Sequence, residues 1–192
     1  MRIIGGLAAE TLLKVPEGLA VRPTPDKVKL AIFNSLGTFV EGARVLDLFA
    51  GSGALGLECL SRGARELVSI EKSERHGRFY RTNLQATRLP AATVELRIQD
   101  VFTAMGQLAT ARRQFDLIVA DPPYGEKNVG RRSTSMAQQL LDDPALPGLL
   151  NPEGLFVLGH TRRDTLEMTP AWKEKRLLKH GDTWMRLLVR TT

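Results

Sequence analysis

The 192 residues include a single cysteine, Cys59, so no disulfide can close within the chain. Its neighbours Leu57 and Leu60 suit a small buried hydrophobe better than a reactive thiol. Three histidines and that one cysteine form no cluster at ligand spacing, and no metal site is expected. There is no nucleophile elbow and no ordered Ser-His-Asp set, which removes the common hydrolases. No apolar run approaches bilayer length, and the opening Met1–Gly6 is too short and polar for a signal peptide. A cytoplasmic setting without membrane contact is the expectation. Solenoid-spaced repeats and low-complexity tracts are also missing.

What remains is ordinary globular material. Hydrophobic residues are 43% and charged residues 25% of the chain, values that fit one domain with a substantial core. The net charge of +6 favours a polyanionic partner, because Lys and Arg neutralise phosphates. Residues 1–21 mix Gly, Pro and short apolar pairs and read as an extension, in the form of a hairpin, ahead of a main domain over 22–192.

The main domain opens with a helix. Thr24 suits its N-cap, Pro25 its first turn, and Val28, Ile32 and Leu36 its apolar face, with Gly37 as the stop. Strands are then expected at Arg44 to Ala50, Glu66 to Glu71, Thr93 to Ile98, Phe115 to Ala120 and Gly154 to His160. Helices are expected at Ala54 to Ser61, Ser73 to Thr87, after Asp100, and at Ser133 to Leu141. Lys175 to Lys179 and Thr183 to Arg190 flank a good turn, His180-Gly181-Asp182. Strands alternating with helices imply an α/β fold whose mainly parallel sheet ends in an antiparallel hairpin. Ligands in such sheets bind beyond the carboxyl ends of the strands. Function should therefore lie after Ala50, Ile70, Ile98 and Ala120.

Two motifs fall there. Gly51, Gly53 and Gly56 satisfy G-x-G-x-x-G between a strand and a helix. The glycines allow a tight turn and close approach of a ligand, and the following helix start offers amides to an anion. That anion is either a pyrophosphate or the carboxylate of a methionine-like tail. Glu71, at the end of the next strand, can accept both hydroxyls of a ribose. Asp47 is a carboxylate in an otherwise apolar strand, which requires a partner. It either orients the loop amides or receives a ligand amino group.

Asp121-Pro122-Pro123-Tyr124 follows the fourth strand. Two prolines hold the backbone rigid and remove donors. The Asp121 carboxylate and Pro122 carbonyl are two acceptors, matched to the two N–H bonds of an exocyclic aromatic amine. Holding both would stabilise the positive charge that develops as the nitrogen attacks. Tyr124 could stack on the base, which must be unpaired or flipped out.

These stretches resemble the cofactor loop and catalytic motif of class I amino-methyltransferases. With Met1–Gly6, Arg22–Val28, Ile32–Leu36 and Val45–Ala64, the chain is similar along nearly its whole length to one family. That family is the RsmD-type 16S ribosomal RNA guanine-N2 methyltransferases. The resemblance implies a Rossmann-like fold with a seven-stranded sheet, S-adenosylmethionine as donor, S-adenosylhomocysteine as product, and a guanine amino group of small-subunit rRNA as acceptor. By position it implies cofactor contacts at Asp47, Phe49, Ala50, Gly51, Ser52 and Gly53. It adds Glu71 with Lys72 at the ribose, and Asp100 with Val101 at the adenine. Asp121, Pro122, Pro123 and Tyr124 would be catalytic. The chain departs from the family pattern at Leu7–Leu13, which is less basic, and at Gly159-His160, where the family often has Glu. His160 is read as structural.

Arg22, Thr24 and Lys27 near the first helix, and Lys127, Arg131 and Arg132 after the tyrosine, are the expected RNA contacts. Lys173, Lys175, Arg176 and Lys179 are read as surface charge on a distant hairpin. The partner would be 16S rRNA or a small-subunit assembly particle, met by a monomer. Two other readings use the same residues. One is a nicotinamide-dependent oxidoreductase, in which Asp-Pro-Pro-Tyr has no role. The other is a non-catalytic RNA-binding module. Adenine N6 and cytosine N4 are alternative acceptors.

Overall fold

A computed structural model describes residues 1–16, 24–124 and 131–191. Seven strands form one sheet in the order β3-β2-β1-β4-β5-β7-β6. They are β1 (Arg44–Leu48), β2 (Glu66–Glu71), β3 (Val94–Ile98), β4 (Phe115–Ala120), β5 (Leu150–Thr161), β6 (Trp172–His180) and β7 (Thr183–Arg190). The first five run parallel, and β7 returns antiparallel between β5 and β6. The helices are α1 (Asp26–Leu36), α2 (Gly56–Ser61), α3 (Glu74–Thr87), α4 (Val101–Thr110), α5 (Met136–Asp142) and α6 (Leu146–Leu149).

The sheet divides the core in two, as side chains alternating at period two must. Val45, Leu67, Leu117, Val119, Leu155 and Val157 face α1, α2, α3 and the N-terminal segment. Leu46, Val68, Ile118, Phe156 and Leu158 face α4, α5 and α6. Helices on both faces explain the near-continuous apolar runs of β1, β2 and β4.

Several boundaries move. β1 stops at Leu48 rather than Ala50, and Phe49 enters the loop at φ 62°, an unusual left-handed turn for a non-glycine residue. α2 starts at Gly56, not Ala54. α5 starts at Met136, capped by the Ser135 hydroxyl, not at Ser133. Pro25, not Thr24, occupies the N-cap of α1, with no side-chain cap bond.

The N-terminal segment packs on the domain. Ile3, Ala8 and Leu13 are buried in the core, and Arg2 bridges Leu12 antiparallel. Buried Glu58 on α2 accepts the Ile4 and Gly5 amides at 2.8 and 2.9 Å. Its carboxylate also meets buried Lys29 at 3.3 Å and Arg62 at 2.9 Å. The Lys29 ammonium in turn donates to the Arg2 carbonyl. Asn83 on α3 ties the segment down a second time, pairing with both backbone groups of Lys14 while donating to the Ser52 carbonyl at 2.8 Å.

Candidate active site

β1 and β4 are parallel neighbours, and the chain leaves them toward opposite flanks of the sheet. That is the topological switch point, where a crevice opens. A cavity of about 410 Å³ lies there, of a size that holds a nucleoside-sized ligand. Phe49 and Gly51 come to it from β1, Glu71 and Lys72 from β2, Asp100 and Val101 from β3, and Asp121 to Tyr124 from β4. Met136, Phe102 and His76 complete the wall. A smaller space of about 60 Å³ shares Phe49, Gly51, His76 and Asp121 and adds Asp47, Ala50, Ser52 and Thr24. The two predicted loops therefore meet at one cleft. Of the expected cofactor residues, Gly53 is outside both linings. It shapes the turn at φ 93°, and a β-carbon there would stand 2.8 Å from Leu57.

The amides of the three glycines are already used. Gly51 N–H donates to Glu71 at 2.8 Å, Gly53 N–H to the Ala50 carbonyl at 2.8 Å, and Gly56 N–H to Asp47 at 3.0 Å. The expected helix start lies further on, since α2 begins three residues beyond Gly53, and the three glycine amides serve the loop itself. Gly56 is glycine for close packing: a β-carbon would stand 2.6 Å from Asp47 Oδ2. Burial pushes the Asp47 carboxyl up to about 8, and the charges of Glu71 and Asp121 reinforce the shift against the Gly56 hydrogen bond.

Glu71 is also occupied, by the Ser73 amide at 2.7 Å on its second oxygen and by His76 at 3.4 Å. Asp100 caps α4, accepting from the Phe102 and Thr103 amides at 3.0 and 3.2 Å. Its other oxygen lies 3.6 Å from the Lys72 ammonium. These carboxylates sit at the cavity edge with partners that a ligand could exchange.

At the end of β4, Asp121 Oδ2 accepts the Thr24 hydroxyl at 2.5 Å. Thr24 was expected to cap a helix and touch RNA, but it is buried and its hydroxyl is spent on Asp121. Oδ1 of Asp121 abuts Gly159 on β5, where any β-carbon would collide with it. Burial raises the Asp121 carboxyl above its ordinary range, with Thr24 opposing. The glycine at position 159 is thereby explained. Tyr124 is 44% exposed, and its hydroxyl bonds Thr183 at 2.9 Å. His160 is structural as expected. It bonds the Asp164 carbonyl at 3.2 Å and accepts from Arg186 at 3.0 Å, while burial and that guanidinium push it down to about 4.

The basic residues divide. Arg22 and Lys127 lie outside the described residues. Lys27 and Arg131 are exposed. Arg132 is held by Asp142 at 2.7 Å and Glu167 at 2.6 Å, so its charge is spent within the chain. Thr24 and Gly159 as partners of Asp121, and Met136 in the wall, were not read as site residues for this role. Neither spacing nor composition signals a contact between residues 24 and 121.

The fold and cleft, with relatives named as methyltransferases, place the chain in the class of Rossmann-like methyltransferases. More narrowly, the chain belongs to the family described as Conserved hypothetical protein 95, which matches residues 1–189. It is 37% identical to the ribosomal RNA small subunit methyltransferase D of Escherichia coli K12 over 191 residues, 99% of this chain and 90% of that one. The Haemophilus influenzae protein of the same name is 30% identical, covering 88% and 83%. A solved hypothetical protein of Thermus thermophilus superposes at a TM-score of 0.79 and 28% identity, covering 100% of this chain and 99% of the other. Among the described residues no group of metal-ligating side chains comes together, and no helix is long and apolar enough to cross a membrane.

Proposed function

We propose that the protein methylates the exocyclic N2 of a guanine in small-subunit ribosomal RNA, as free 16S rRNA or in an assembly particle, acting as a cytoplasmic monomer. The observation that carries this reading is the single cleft shared by the loop after β1 and by Asp121 to Tyr124. The relatives named as small-subunit rRNA methyltransferases support rRNA as the substrate, and the choice of guanine follows the family resemblance.

The residues fit the cofactor. Asp47 is a buried carboxyl facing the narrow end of the cleft, where a ligand ammonium would displace its proton and pair with it, beside Phe49, Ala50, Gly51 and Ser52. Glu71 and Lys72 would take the ribose hydroxyls, and Asp100 with Val101 the adenine. S-adenosylmethionine supplies a methyl group activated by its positive sulfonium. The Asp121 carboxylate and the Pro122 carbonyl accept the two N–H bonds of the guanine amine and hold its lone pair toward the cleft. Burial raises the proton affinity of Asp121, which suits it to take the proton the nitrogen sheds. Pro123 keeps the turn rigid, and Tyr124 presents its ring to the flipped base. Lys27 and Arg131 would meet phosphates, while Arg132 braces the segment before α5.

Incorporation of radiolabelled methyl into small-subunit rRNA, followed by nucleoside mass spectrometry, tests this. N2-methylguanosine should form, and Asp121→Ala should lower the rate by at least about 100-fold, the scale of one lost electrostatic contact to the transition state. Label in N6-methyladenosine or N4-methylcytidine would move the reading to another base. Undiminished activity of Asp121→Ala would refute the role of the motif.

A further inference from the structure

We propose that the β6–β7 turn, together with the residues that follow β5, is a phosphate-binding rim for the RNA strand carrying the target base. The proposal rests on the RNA reading above and adds to it the surface along which the strand is gripped.

Pairing register brings this turn to the catalytic edge. β5 runs parallel to β4, so Thr161 lies at the same edge as Ala120. β7 runs antiparallel to β5, with Thr161 opposite Thr183, and β6 returns with His180 opposite Thr183. The Tyr124 hydroxyl bonds Thr183 at 2.9 Å, so turn and catalytic motif are in direct contact. The Arg162 amide donates to the Asp182 carbonyl at 2.8 Å, joining the loop after β5 to the same turn.

Three exposed cations stand on this rim: Arg162, Arg163 and Lys179. Arg163 has no carboxylate partner among the described residues. Lys179 lies 4.7 Å from the centre of the Trp184 ring, which holds its ammonium without neutralising it. Trp184 is itself steadied edge-on by His160, 5.9 Å away between centroids. Only Arg162 faces an acid, Asp182 at 3.7 Å, in an exposed pair that a phosphate could displace. Cations beside Tyr124 meet the backbone flanking a base drawn into the cleft. They would fix its register without reading sequence. Arg132, by contrast, is already committed to two carboxylates.

The same hairpin supplies a charge-matched control. Lys173 pairs with Val189 at the far end of β6, away from the catalytic edge, and Lys175 stands two residues on. Binding of radiolabelled small-subunit rRNA is measured by filter retention across a salt series. The proteins are the parent, the Arg163→Glu/Lys179→Glu pair and the Lys173→Glu/Lys175→Glu pair. The rim pair should weaken binding at least about 10-fold and flatten the slope of log K against log salt by about 1, as expected for one or two lost phosphate contacts. The far pair, with the same change in net charge, should stay within about 2-fold. Equal weakening by both pairs, or none by the rim pair, overturns the rim. Stabilisation by S-adenosylhomocysteine, read by thermal shift, verifies that each variant is folded. If the rim pair does not fold, Arg163→Ala and Lys179→Ala singly must each weaken binding more than Lys173→Ala. Methyl transfer by the parent tests the reaction separately, so a failed rim and a failed reaction are told apart.

Discussion

In the proposed reaction the Asp121 carboxylate must stand still, and two residues far away in sequence hold it. Thr24 donates to one oxygen, and Gly159 leaves room for the other. Thr24→Val keeps the shape and removes the donor. It should lower kcat about 10- to 100-fold, a cost typical of a misplaced reacting group, with little change in KM for RNA. Thr24→Ser should recover most of the rate in the same steady-state assay. Asp47 makes a second prediction. Its carboxyl is raised from 3.8 to about 8, so in the folded chain it holds a proton that the unfolded chain releases near pH 4. Its contribution to stability is full below pH 4 and is lost as pH rises through about 8. Asp47→Asn removes this titration. Its melting temperature should gain on the parent between pH 5 and 8, by at least about 3 °C, which for a chain this size is about 1 kcal/mol. Asp47, Gly51–Gly53, Asp121 and Tyr124 were legible as candidates because each belongs to a break in the local pattern: an acid in an apolar run, glycines at a strand end, two prolines after a strand. Thr24 breaks no pattern, and its reading as a cap was wrong because Pro25 takes that place.

At the scale of elements, β2 and β4 begin and end where the apolar runs do. Strands covered on both faces carry that signal in their own residues. The β6–β7 hairpin was legible from its turn, but it extends to Trp172 at its start. The four-residue α6 went unread, being too short for periodicity to register. The attachment of the N-terminal segment was also hidden, because it runs through Glu58, a residue that reads as an ordinary helix acid. Glu58 is wholly buried against Lys29, with two backbone amides on its oxygens. Glu58→Ala leaves a buried ammonium and two N–H groups without their acceptor. It should cost about 3–5 kcal/mol in denaturant melts, as breaking a buried pair does. Removing both charges with Glu58→Leu/Lys29→Met should cost less than the sum of the single changes.

The whole molecule brings together a cleft to which four parallel strands contribute. A ligand spanning it should stabilise the fold as a unit. S-adenosylhomocysteine at 100 times its Kd should add about 2.7 kcal/mol and raise the melting temperature accordingly, while NAD should leave it unchanged. The opposite result would return the glycine loop to an oxidoreductase. The same scale decides where the basic charge matters. Lys179, read from sequence as remote, stands on the turn that touches Tyr124 through Thr183.

Sequence alone determined the alternating strands and helices, the glycine turn, the rigid Asp-Pro-Pro-Tyr exit and the resemblance that links them. Each rests on neighbours within a few residues, where sterics and periodicity act directly. Only the tertiary structure decided that Thr24 holds Asp121, that Glu58 anchors the first residues, and that the last hairpin borders the cleft. Those partners are separated by 97, 54 and 59 positions, and a contact at such range is set by strand order and register rather than by local chemistry.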